Sequence, residues 1–177
     1  MQIGPYKLYS IETSEFALDG GAMFGIIPKP LWEKEVPADD KNRIQMVTRS
    51  LLLVSEENKI IIDTGNGSKW QEKFKDIYKI DLENLNLERS LGIYGFTPED
   101  ITDVYCTHLH FDHVGGNTKI VNGKLEPVFP NATYWVQTEN WDLANSPSEK
   151  DAGSFMSADW SVLLENNMIH FVDGKES

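Results

Sequence analysis

The stretch Thr107-His108-Leu109-His110-Phe111-Asp112-His113-Val114-Gly115-Gly116 holds three of the chain's four histidines, with an aspartate among them. Residues two apart at the end of a strand project to the same side, so His108 and His110 can reach one ion. Asp112 and His113 fall where the chain leaves that strand, and the two glycines let the backbone turn sharply afterwards. Neutral imidazole is a good ligand for zinc, iron and manganese. Four donors from one short segment cannot all converge tetrahedrally on a single metal. Divided as His108 with His110 and Asp112 with His113, they form two half-built sites. Metal pairs about 3.5–4 Å apart lower the pKa of a bound water and polarise a carbonyl or phosphoryl oxygen.

Working outward, Ile101 to Cys106 reads as the strand feeding the cluster. Thr97-Pro98-Glu99-Asp100 before it reads as a capped helical start. Upstream, Ile44 to Val54 and Lys59 to Asp63 read as two strands joined by the polar turn Ser55 to Lys59. Asp63 closes the run I-I-I-D-T-G, at the strand end where open α/β sheets place functional groups, and is expected to orient a ligand histidine. Ser68 to Lys79 has helical spacing with Trp70, Phe74 and Ile77 on one face, and Leu82 to Arg89 suggests a second short helix. Lys7 to Ile11 reads as a first strand. Phe16 to Pro37 reads as a long loop, in which Met23 and Phe24 are expected either to tuck under the loop or to wall a substrate pocket. Downstream, Asn131 to Val136 and Met168 to Val172 read as strands, with helices from Thr138 and over Ser157 to Asn166. Asp173-Gly174 is a turn signal with no second strand after it.

The 177 residues suit one domain spanning 1–177, and 40% hydrophobic with 25% charged residues suits a globular core. A net charge of −12 argues against nucleic-acid and anionic-membrane partners. No apolar run approaches the roughly 20 residues of a membrane span. The first residues lack the basic and apolar regions of a signal peptide, which points to the cytoplasm. A single cysteine, Cys106, excludes an internal disulfide and a thiolate zinc cluster; it reads as a buried core residue.

T-H-L-H-F-D-H-V-G-G and the upstream I-D-T-G closely resemble the metallo-β-lactamase-fold hydrolase superfamily. The segment F-A-L-D-G-G-A-M-F-G-I-I-P-K-P-L-W, with N-R-I and F-P-N-A, resembles its lactonase-like branch. The resemblance implies an α/β fold, the metallo-β-lactamase αββα sandwich, with a dinuclear centre at the edge of two sheets. It implies Zn2+, two per complete site, with Fe or Mn as alternatives. A metal-bound hydroxide would attack the ester, lactone or amide carbonyl of a small-molecule substrate. His108 and His110 would bind one metal, Asp112 and His113 the second, and Asp112 would also serve as the catalytic carboxylate. Asp63 would orient a ligand histidine. Complete members add later histidine and aspartate ligands. Here only His170 follows the cluster, in M-I-H-F-V, which reads as a packing or surface residue. The chain is therefore expected to match the N-terminal portion of the fold with an incomplete second half. Weak metal binding follows, and so does partnership with a second copy or a complementing chain. A non-catalytic remnant and a glyoxalase-II-like thioesterase are the alternative readings; a nuclease is disfavoured by the acidic charge.

Overall fold

The structure is a computed structural model, and residues 1–174 are described. Its centre is a seven-stranded sheet ordered β1-β2-β3-β4-β5-β8-β9. The strands are β1 (Gln2–Ile3), β2 (Tyr6–Asp19), β3 (Arg43–Val54), β4 (Lys59–Ile62), β5 (Asp103–Tyr105), β8 (Thr133–Gln137) and β9 (Ile169–Val172). The first four pair antiparallel, whereas β4, β5, β8 and β9 run parallel. A separate hairpin joins β6 (Thr118–Val121) to β7 (Lys124–Pro127). The helices are α1 (Gly20–Phe24), α2 (Lys29–Trp32), α3 (Glu72–Tyr78), α4 (Leu87–Ile93), α5 (Phe111–Val114), α6 (Thr138–Asn145) and α7 (Ser161–Glu165). Among the described residues no helix is long and apolar enough to cross a membrane.

Alternation decides the two faces of the sheet. Leu52, Ile61, Val104 and Tyr134 are register neighbours on β3, β4, β5 and β8, and all four are fully buried. They pack in one apolar cluster with Leu87 and Leu91 of α4, Phe129, and Leu163 of α7. The opposite face carries Leu51, Leu53, Ile60, Ile62, Tyr105 and Trp135, each only partly covered, with Tyr105 and Trp135 stacked 5.5 Å apart.

Several sequence expectations need correction. The first strand does not stop at Ile11 but runs to Asp19, because β3 offers twelve residues of ladder and β2 pairs along all of it, with one bulge at Glu12/Ser14. The expected loop from Phe16 therefore begins as buried strand, and its remainder holds α1 and α2. In α3, which starts at Glu72 rather than Ser68, the inward residues are Phe74 and Tyr78, because Tyr78 packs against Trp70 and Phe111; Ile77 is exposed. The second short helix starts at Leu87, since Asn86 caps it by accepting from Arg89 N. Ser157 to Asn166 divides into a 3-10 turn at Ser157–Asp159 followed by α7. The capped turn at Thr97 is present: the Asp100 carboxylate accepts from both Thr97 N and Thr97 Oγ1. The turn signalled at Asp173-Gly174 leads into residues 175–177, which lie outside the described set.

Candidate metal centre

Two adjacent parallel strands, β4 and β5, end side by side, and both deliver candidate residues there. Asp63 follows β4 in a left-handed backbone conformation (φ 57°) with its N–H donated to Tyr105 O. Aspartate tolerates that conformation better than most residues, because its short polar side chain can bond locally. The turned backbone puts the carboxylate across the gap. Asp63 Oδ1 accepts from Thr107 N at 2.9 Å, and Oδ2 accepts from Thr107 Oγ1 at 2.7 Å. Oδ2 also lies 2.8 Å from His113 Nδ1.

The histidines are not on the strand itself, as the spacing had suggested. Strand β5 ends at Tyr105, and His108 and His110 occupy the irregular segment beyond it. They converge all the same. The His108 ring lies 4.6 Å from His110 and 3.9 Å from His113. Asp112 and His113 sit on the single turn of α5, where Asp112 Oδ2 is 3.6 Å from His113 Nε2. Leu109, between the two histidines, is fully buried and its N–H donates to Asn140 Oδ1 on α6.

Glycine is required beneath this turn. The segment 64–67 lies directly against 113–116: Thr64 N and Gly65 N both donate to His113 O, and Gly116 N donates to Gly65 O. A Cβ on Gly67 would fall 2.0 Å from Gly115 O, and one on Gly116 would fall 2.3 Å from Thr64 O. Hydroxyls lock the same layer from below. Thr13 and Ser14, at the β2 bulge, each bond Thr48 Oγ1 at 2.7 Å, and Asn66 donates to Ser14 Oγ.

The electrostatics keep these imidazoles distinct. Burial, then neighbouring His113 and His110, lowers the pKa of His108 and favours the neutral, ligating form. Burial alone would also lower His113, but the Asp63 hydrogen bond and the Asp112 and Asp63 charges outweigh it, and the net direction is upward. Burial pushes the Cys106 thiol up to about 12, as expected for an inert core cysteine.

Of the other sequence candidates, Phe24 stacks on buried Trp32 at 4.8 Å while Met23 stays partly exposed, so Phe24 belongs to a satellite core under its loop. His170 packs on Trp135 at the β8–β9 edge. Sequence reasoning missed two neighbours of the cluster. Phe155 bridges to His110 and places its ring 4.7 Å from that imidazole. Lys69 is buried against Asp159 beneath the Gly115-Gly116 turn. Neither carries a motif that would have identified it.

The donor set fits divalent metal in kind. It offers imidazole nitrogens, a carboxylate, and a histidine whose Nδ1 is held by Asp63 so that Nε2 is left free. It does not fit in number: among the described residues no three His, Cys, Asp or Glu side chains gather as one metal would need.

Strands feeding a histidine–aspartate turn at one sheet edge define a class, and comparison with known proteins agrees. The Metallo-beta-lactamase superfamily matches residues 44–173, and the chain belongs to that family. Among individual proteins, an N-acyl homoserine lactonase of Bacillus cereus is 31% identical over an alignment of 90 residues that covers 46% of this chain and 36% of that protein. A crystal structure of a probable metal-dependent hydrolase from Staphylococcus aureus superimposes with a TM-score of 0.83 at 30% identity, over 98% of this chain and 61% of the other. AidC, a dizinc quorum-quenching lactonase, gives 0.72 at 21% identity over all of this chain and 61% of its own, a likeness of fold. The chain thus spans about three fifths of the solved structures it matches and about a third of that lactonase.

Proposed function

We propose that this chain carries the first part of a lactonase-like, metal-dependent hydrolase centre acting on the ester, lactone or amide carbonyl of a small molecule. In this reading His108 and His110 hold one divalent cation, and Asp112 and His113 hold a second. Zinc is the expected metal on donor chemistry, with iron or manganese as alternatives. A bound metal pair would supply an activated water and polarise the carbonyl. The observation that carries the reading is the contact of Asp63 with His113 Nδ1, which leaves Nε2 3.6 Å from Asp112 Oδ2 with the His108 ring alongside. Asp63 fixes tautomer and ring direction, and Asp112 is placed to hold the proton released as water attacks or to return it to the leaving group. Met23, exposed on the α1 loop, remains the proposed apolar contact for substrate; Phe24 supports that loop through Trp32. A cytoplasmic setting goes with this reading.

With two protein ligands per metal, the 177-residue chain is expected to bind zinc weakly and to turn over little. Zinc titration of the chain and of H108A/H110A tests the site, with hydrolysis of an N-acyl homoserine lactone and an S-acyl thioester measured in parallel. Equal zinc binding by parent and double variant would remove the reading. Faster thioester than lactone cleavage would favour the thioesterase alternative.

One observation favours a second, compatible reading, in which this chain is a subunit completed by another polypeptide or copy. The face of Leu51, Leu53, Ile60, Ile62, Tyr105 and Trp135 is only partly covered and is largely apolar, interrupted by Asp103, which accepts from Trp135 Nε1. Light scattering after size exclusion should find association; a stable monomer at micromolar concentration counts against it.

A further inference from the structure

Lys69 is the best-buried lysine partnered by an acid near the centre, with its side chain 7% exposed and that of Asp159 1% exposed. Its ammonium has three donors, and each has a target. Nζ lies 2.7 Å from Asp159 Oδ1, donates to Gly115 O, and reaches Thr118 O at 3.3 Å. Asp159 Oδ2 is buried with no partner among the described residues, so Lys69 is what compensates that carboxylate. Thr118 Oγ1 donates to Ala158 O at 2.7 Å, tying the same two segments again. Phe155, four residues before Asp159, packs on His110. The segment 155–159 therefore touches the histidine turn at both ends: by an aromatic ring at His110 and through Lys69 at Gly115.

Gly115 closes α5 by donating its N–H to Phe111 O, and α5 carries Asp112 and His113. Whatever holds the Gly115 carbonyl holds the exit of that single turn. A four-residue helix cannot hold its own direction, because one turn gains too few backbone bonds to offset its nucleation cost. Segment 64–67 anchors the turn at His113 O and Gly116 N, and Lys69 adds a bond to the Gly115 carbonyl between them; an apolar side chain at position 69 could fill the space but could not bond the carbonyls.

We infer that Lys69 is a positioning residue for the histidine–aspartate centre: seated on Asp159, it fixes the Gly115 and Thr118 carbonyls and through them the direction of Asp112 and His113. The inference rests on the metal-binding reading above. Burial pulls the Lys69 pKa down and that of Asp159 up, each opposed by the other's charge. Removing one partner therefore strands the other, and single variants confuse packing with positioning. Replacing both by apolar residues of similar volume avoids this, since such swaps are often neutral or stabilising.

The test compares the parent chain, H108A/H110A, K69M/D159L and K69R by thermal midpoint and by zinc and cobalt(II) titration, with the cobalt visible spectrum as a report on ligand geometry. The expected result is a folded K69M/D159L with a thermal midpoint several degrees below that of the parent, because the Gly115 and Thr118 carbonyls lose their donor, and with zinc affinity about tenfold or more weaker and an altered cobalt spectrum. K69R keeps the charge on Asp159, but its planar fork is not shaped for the same two carbonyls; it is expected to fold and to weaken zinc by a similar factor. A folded K69M/D159L with parental zinc affinity and cobalt spectrum overturns the inference. If that variant does not fold, a folded K69R with parental affinity overturns it instead. Failure of the metal reading is separately visible: the parent would bind no zinc, or H108A/H110A would bind as the parent does.

Discussion

Replacing Asp63 by alanine and by asparagine should separate stability from metal binding. The carboxylate accepts from Thr107 N, Thr107 Oγ1 and His113 Nδ1, and its side chain is 13% exposed. Hydrogen bonds to a charged acceptor contribute about 1.5–3 kcal/mol each, and Thr107 at the rim can recover part of its loss to water, so three bonds contribute about 3 kcal/mol here. The left-handed φ of 57° adds about 1 kcal/mol against alanine. D63A should therefore lose about 4 kcal/mol, which for a domain of this size is about 8–16 °C in thermal midpoint. Asparagine keeps the conformation and one acceptor oxygen. Its amide replaces Oδ2 and donates to Thr107 Oγ1 and His113 Nδ1, both of which can accept. D63N should cost about 1–2 kcal/mol.

Metal affinity should order the variants differently. An amide donor at His113 Nδ1 forces the proton onto Nε2, the nitrogen that faces Asp112, and so blocks the atom proposed to bind metal. D63N should weaken zinc by about 10–100-fold, at least as much as D63A, despite losing less stability than D63A. Thermal melts with zinc titration of the three proteins decide it. Parental zinc affinity in D63N, or a D63A midpoint within about 2 °C of the parent, would refute the reasoning.

Gly67 has φ 64°, and its Cβ would meet Gly115 O at 2.0 Å, so G67A should cost about 3–5 kcal/mol in urea unfolding; a loss below about 1 kcal/mol would mean the two turns can part freely. Tyr134 is fully buried, accepts from Phe129 N and donates to Asn117 O, so Y134F should cost about 1–3 kcal/mol on the same assay. The Arg43 side chain, then its N–H, hold Asp39 down at about 2. A depressed carboxylate contributes stability above its unfolded pKa and loses it as pH falls through the folded value, so the parent should weaken between about pH 4 and pH 2, and D39N should show a shallower slope in melts across that window.

The fold was legible wherever the signal was local. The β3–β4 hairpin and the Thr97–Asp100 turn are written in alternation and capping residues, and both stand as read. What failed depended on a partner far along the chain. Phe16 to Asp19 resembled the start of a loop because L-D-G-G follows, yet the length of β3 kept those residues in the ladder. Ile77 and Tyr78 are both apolar enough for an inward face, and only packing against Phe111 and Trp70 selects Tyr78.

The candidate site divides along the same line. Histidine and aspartate spacing marks candidate donor atoms, because each side chain's chemistry is intrinsic and all four stand within one segment. Which nitrogen is free, and where it points, is not intrinsic. Asp63, one strand away, contacts His113 Nδ1, two glycine turns pack closely enough to exclude a Cβ, and an ammonium bonds the Gly115 carbonyl, all from outside that segment. Asp63 could be read because it ends an apolar run. Lys69 could not, since a lysine in a polar stretch ordinarily faces water and its burial exists only once Asp159 arrives from the far end of the chain. Donor identity is thus a property of the motif, whereas donor direction is a property of the fold, and ligand affinity depends on both.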